Sequence, residues 1–134
     1  MTYNIFISHS WNYSDQYDRL IKLLREKPYF TFKDYSVPFS DPINTNGTTK
    51  QLRDAIIKQM TPTSCVLVLA GVYSTYSKWI NEEIGIAKNS FVNNPKKIIA
   101  IEPWGAERTS TVVKDAADII VKWNTDSIVD AIRN

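Results

Sequence analysis

Ser64-Cys65-Val66-Leu67-Val68-Leu69-Ala70 is the stretch whose reading decides the fold. From Cys65 to Ala70 it is apolar without alternation. Such a strand has no polar side to offer water, so both of its faces must be covered. That is the pattern of a central strand in a parallel sheet. Ile98-Ile99-Ala100-Ile101 has the same character and reads as a second buried strand. Tyr3-Asn4-Ile5-Phe6-Ile7-Ser8 is short and β-favouring and opens the chain as a first strand. Tyr29 to Tyr35 alternates and is rich in aromatics, and Ile119 to Trp123 supplies a last strand.

Helical spacing fills the intervals. Tyr17, Leu20, Ile21 and Leu24 recur every three or four residues behind Ser14 as N-cap, which predicts a helix to about Lys27, ended by Pro28. Thr48 with Gln51 forms a capping-box pattern before Leu52, Ile56 and Met60. Ile80, Ile84, Ala87 and Phe91 make an apolar stripe on a helix that should end near Asn93-Asn94-Pro95. Pro103 to Ala117 reads as irregular, with one helical turn around Val112-Val113. Asn124 or Thr125 then caps a terminal helix carrying Ile128, Val129 and Ile132.

Strands alternating with helices imply an α/β fold with helices on both faces of a parallel sheet. Five strands in a chain of this length suit a flavodoxin-like three-layer sandwich of order 2-1-3-4-5, formed as one domain over residues 1–134. In such sheets ligands bind beyond the carboxyl ends of the strands, where the order reverses. Here that point lies between the first and third strands. It is flanked by Ser8-His9-Ser10-Trp11-Asn12-Tyr13 and by the segment leading into Trp79.

Composition narrows the classes of function. Sixteen basic and 14 acidic residues leave a net charge of +2, and the basic residues are scattered, so no nucleic-acid partner is indicated. The single Cys65 excludes an internal disulfide and a cysteine-based zinc site, and it fits a reducing compartment. No apolar run reaches membrane-spanning length, and the polar N-terminus is unlike a signal peptide. The expectation is a cytoplasmic protein with no membrane partner and no metal.

The strongest chemical signal lies in Tyr76-Ser77-Lys78-Trp79-Ile80-Asn81-Glu82-Glu83-Ile84. On a helix, Glu82 falls away from the apolar stripe, in water. Glu83 falls on the border of the stripe, where a carboxylate is costly unless something binds it. Glu83 is therefore the candidate for chemistry, against a plainer role as a helix-start cap or a partner to a lysine. Trp11 and Trp79 each stand at a strand-to-helix junction, where a ring can stack on a flat ligand. His9 alone makes a poor metal site, and Ser8 or Ser10 is too close to it in sequence for a Ser-His-acid triad. Gly47, Gly71, Gly85 and Gly105 match neither a P-loop nor a dinucleotide fingerprint. The loop after the first strand lacks the acidic pair of a phospho-receiver and the glycine of a flavin-phosphate loop.

Taken together, Ile5-Phe6-Ile7-Ser8-His9-Ser10, the Ser77-x-Trp79-x-x-x-Glu83 pattern and the long loop from Val37 to Gly47 resemble a Toll/interleukin-1 receptor (TIR) domain. More narrowly, they resemble the bacterial TIR-like family that includes the sensor protein of Thoeris anti-phage defence. The likeness covers nearly the whole chain, though an arginine-rich turn typical of eukaryotic members is missing after the first strand. It implies that Glu83 is catalytic and that NAD⁺ is the substrate, no further cofactor being needed. Cleavage at the nicotinamide–ribose bond would yield an ADP-ribose-derived second messenger, cyclic or conjugated, for a separate effector. Ser8, His9, Ser10, Trp11, Ser77 and Trp79 would hold the nucleotide. Self-assembly of the domain is also implied as an option. Two other readings stay open: a non-catalytic TIR-like assembly module acting through the loop from Ser36 to Gly47, and a domain that binds a nucleotide without turning it over.

Overall fold

Each strand of this chain hands over to a helix, and each helix lies against the sheet because its apolar stripe must be buried there. A computed structural model describes residues 2–8, 14–35, 49–70, 78–91, 95–102 and 111–134, without the side chains at 14, 15, 49, 51, 52, 78, 79, 111 and 112. Within them lie β1 (Thr2–Ser8), α1 (Ser14–Arg25), β2 (Thr31–Asp34), α2 (Thr49–Met60), β3 (Cys65–Leu69), α3 (Lys78–Asn89), β4 (Lys97–Ile101), α4 (Thr111–Ala116), β5 (Ile119–Val121) and α5 (Thr125–Arg133). The strands form one sheet of order β2-β1-β3-β4-β5, parallel at every pairing.

β3 is buried along its whole length, as its unbroken apolar run requires. The alternation of side chains along the strands sorts the core into two layers. Ile5 and Ile7 of β1, Cys65, Leu67 and Leu69 of β3, and Ile99 and Ile101 of β4 pack with Leu20 and Leu24 of α1 and the buried face of α5. Phe6, Val66, Val68, Ile98 and Ala100 pack with Ile56 and Met60 of α2, Ile80, Ile84 and Ala87 of α3, and Val113 of α4. Each fully buried aliphatic side chain contributes about 1.5–3 kcal/mol through removal of apolar area from water. Tyr3, Phe30 and Phe32 stack in series beside the first layer, at centroid distances of 5.5 and 5.8 Å. With Tyr17 they serve the core.

The boundaries differ from the sequence pattern where tertiary contacts override it. β2 starts at Thr31 rather than Tyr29, because Tyr29 turns the chain at φ 61° and leaves its ring fully exposed. α3 stops at Asn89, so Phe91 lies beyond the helix it was expected to join. The Phe91 ring instead sits 4.7 Å from the Lys96 ammonium. The helical turn expected around Val112-Val113 is present as α4, six residues long and pinned by the wholly buried Val113. Asn124, rather than Thr125, caps α5, its side chain accepting from the Ser127 amide at 3.1 Å. The expected cap at Thr48 and the loop from Ser36 to Gly47 lie outside the described residues.

Cations at the amino edge of the sheet answer the carbonyls at the ends of helices. Lys96 donates to Thr61 and Thr63 carbonyls beyond α2, at 3.0 and 2.6 Å, and Lys97 donates to the Ala131 carbonyl of α5 at 2.5 Å. No described helix is long and apolar enough to cross a membrane.

Gly85 lies inside α3, and a Cβ built there meets nothing within 4 Å. Gly85→Ala should therefore raise stability by about 0.5–1 kcal/mol, through the smaller entropy lost on helix formation. A denaturant midpoint lower than that of the parent protein would contradict this packing of α3.

Candidate functional site

β1 delivers the first polar group. Phe6 and Ser8 point to the same face of the sheet, the face covered by α3, since strand side chains repeat every second residue. An apolar side chain would suit position 8, yet the chain places a hydroxyl there, wholly buried. Ser8 stands opposite Val68 of β3, at the carboxyl end of β1. This is the point where the strand order reverses, as expected.

α3 delivers the second. Ile80, Glu83, Ile84 and Ala87 fall at i, i+3, i+4 and i+7, which is the full apolar face of a helix. Glu83 is therefore inside the stripe rather than on its border, and only 4% of its surface is exposed. Ile86 is buried as well, and Glu82 is half-buried instead of fully in water.

Three polar side chains are buried among the described residues: Ser8, Thr63 and Glu83. Thr63 is satisfied, donating to the Met60 carbonyl at 2.7 Å. Ser8 Oγ and Glu83 Oε2 have no hydrogen-bond partner among the described residues. Burial pushes the Glu83 carboxyl up to about 8, and the Ser8 hydroxyl pulls it part of the way back. Ser8 is thus near enough to favour the anion without completing a hydrogen bond to it. At neutral pH the acid is mostly protonated, which is how an unpaired carboxyl tolerates such a place.

The structure brings together Ser8 and Glu83 of the residues singled out in the sequence. His9, Ser10, Trp11 and Ser77 lie outside the described residues. Trp79 belongs to the first turn of α3, but its side chain is likewise outside the description. Cys65 is inert core, its thiol pushed up to about 11 by burial against the smaller opposing influences of Lys97 and Ser64. A groove of about 560 Å³ at the amino edge, lined in part by Asn4, Ser64, Lys97 and Arg133, is a poorer candidate. Its two cations are already engaged, Lys97 on the Ala131 carbonyl and Arg133 on the Tyr29 carbonyl.

A parallel sheet of order 2-1-3-4-5, helices on both faces and a buried acid on the third helix define a TIR-like α/β domain. The family model described as "Thoeris protein ThsB, TIR-like domain" matches residues 6–108, a span that holds both Ser8 and Glu83. The chain belongs to this family. No curated protein matches it.

The raised pKa carries a stability consequence with a definite sign. Below about pH 4.5 both folded and unfolded Glu83 are protonated, and the folded state bears no penalty from ionisation. Between there and about pH 8 the unfolded chain ionises while the folded chain does not, so stability falls as pH rises. Glu83→Gln keeps the shape and removes the titration. The variant should gain on the parent by a few kcal/mol, on the order of 3 to 5, between pH 4.5 and pH 8. Thermal melts across that range test this, and parallel curves for the two proteins would contradict the burial of the acid.

Proposed function

We propose that this domain cleaves NAD⁺ at the nicotinamide–ribose bond, with Glu83 as the catalytic carboxylate. The single observation that carries the reading is a buried acid at the carboxyl edge of the sheet beside the end of β1, one of whose oxygens, Oε2, has no hydrogen-bond partner among the described residues. Family membership supports it, since the matched region contains the Trp79-x-x-x-Glu83 pattern.

The chemistry suits one carboxylate. The bond between C1′ and the pyridinium nitrogen breaks heterolytically, and its electron pair goes to the nitrogen, so nicotinamide leaves neutral and needs no general acid. Positive charge develops on the ribose as an oxocarbenium ion, as in glycoside hydrolysis. A carboxylate held where water is scarce stabilises that charge far more than one in bulk solvent. The cationic nicotinamide ring of the substrate, brought close to Glu83, favours its ionisation. Addition of water at C1′, with loss of one proton, gives ADP-ribose. Capture by a hydroxyl or ring nitrogen of the same molecule gives a cyclic product.

Ser8, His9, Ser10 and Ser77 would hold the ribose and phosphates, with Trp11 and Trp79 against the rings. Helices that start at the carboxyl edge present their amino ends toward a pyrophosphate there. The product would serve as a diffusible messenger to a separate effector in anti-phage defence.

Release of nicotinamide from NAD⁺ tests this directly. The parent protein should turn over, and Glu83→Gln should lose roughly 100-fold or more of that rate while still folding cooperatively. Because kcat/KM reports the free enzyme, it should rise with pH and level off above about 8. Equal turnover by the Gln variant would refute the assignment, and a flat profile from pH 6 to 9 would exclude the ionised carboxylate as the acting species.

A further inference from the structure

The hydroxyl of Ser8 has no structural task among the described residues. It is wholly buried, on a sheet face otherwise lined by Phe6, Val66 and Val68, and it donates to nothing among the described residues. Buried polar atoms in native proteins are nearly always paired, so an orphaned pair of them needs a reason. The only other such atom among the described residues is Glu83 Oε2, on the helix that covers the same face. Thr63, the remaining buried polar side chain, is fully used by the Met60 carbonyl.

We infer that Ser8 is a positioning residue for Glu83: its hydroxyl turns to donate to the carboxylate when that group loses its proton, and so holds the anion at the carboxyl end of β1. A change of χ1 moves the serine oxygen, and rotation about the Cβ–Oγ bond then aims its proton, so the new acceptor can be met without backbone movement. A hydrogen bond to a charged group is worth about twice a neutral one, so the contact forms with the anion in preference to the neutral acid. The influence of Ser8 on Glu83 already has this sign, favouring the ionised form.

No competing charge acts on Glu83 from the described elements packed around it. On α2, Lys50, Arg53, Asp54 and Lys58 are exposed. On α4, Lys114 and Asp115 are exposed. On β4, Lys97 lies at the amino end with its ammonium on the Ala131 carbonyl. On α3 itself Glu82 is half-buried and Lys88 is exposed, and neither they nor any charged group described on β1 or β3 contributes to the titration. Ser8 is the one described partner to which ionisation of this acid can respond.

The test titrates the carboxyl itself, so it does not need turnover. Protein carrying ¹³C at glutamate carboxyls is followed by NMR, with the Glu83 signal assigned through Glu83→Gln. The parent should titrate near 8. Ser8→Ala removes an oxygen that the folded core does not use and should fold normally, but its midpoint should rise by about one pH unit or more. Ser8→Thr restores the hydroxyl and should bring the midpoint back to the parent value. The rising limb of the kcat/KM profile for NAD⁺ should move with it, an arm that rests on the proposed function. An unmoved midpoint in Ser8→Ala, or a Thr variant that behaves like Ala, would overturn the assignment. A midpoint that shifts and is rescued, in a protein that releases no nicotinamide, would sink the glycohydrolase reading and leave the role of Ser8 standing.

Discussion

A carboxyl group in the protein interior, with its Oε2 unpartnered among the described residues, is the constraint on which this molecule turns. Ionised, it would lose most of its hydration with nothing in return; neutral, it still forfeits hydrogen bonds that water would have supplied. Position 83 would be better served for stability by Leu or Ala, completing the face of α3 with Ile80, Ile84 and Ala87. The chain instead keeps an acid there and lets burial raise its pKa to about 8. A local rule broken at one site, with the rest of the core in agreement around it, is how a functional group looks inside a well-packed domain.

The fold makes that site tolerable and useful at once. Parallel pairing through β2-β1-β3-β4-β5 brings the ends of β1 and β3 side by side where the order reverses. α3 then crosses back over β1, β3 and β4 and lays Glu83 against the last residue of β1. The two layers of aliphatic side chains fix that approach from both sides of the sheet. At the opposite edge, Lys96, Lys97 and Arg133 are committed to backbone carbonyls. The chain thus separates its structural cations from its buried acid by the length of the strands, and no cation sits close enough to Glu83 among the described residues to hold it ionised.

Much of this could be read from residue order. The apolar run from Cys65 to Ala70 is enough to demand a covered parallel strand, and the helical spacings around it lead to the sheet order. Glu83 stood out because an acid on the border of an apolar stripe is costly unless bound, with a helix-start cap or a lysine partner as the plainer roles. Its depth was harder to see. A helix of 3.6 residues per turn leaves the edge of a stripe uncertain by the width of one side chain, and only packing against the sheet shows that i+3 from Ile80 is inside. Ser8 was legible as a polar end to a strand, but its nearness to Glu83 joins residues far apart in sequence, which no spacing encodes. The ends of elements slipped for local reasons: the left-handed backbone of Tyr29 and the early stop of α3 before Phe91.

The central claim is that a nucleotide ribose comes to rest against the buried acid at the end of β1. A crystal structure of the Glu83→Gln protein grown with NAD⁺ tests it most directly. The nicotinamide-bearing ribose should lie in van der Waals contact with the substituted side-chain amide at position 83 and beside Ser8, with the pyrophosphate over the carboxyl edge of the sheet. A nucleotide seated at the amino edge near Lys97 and Arg133, with position 83 still sealed in the core, would contradict it.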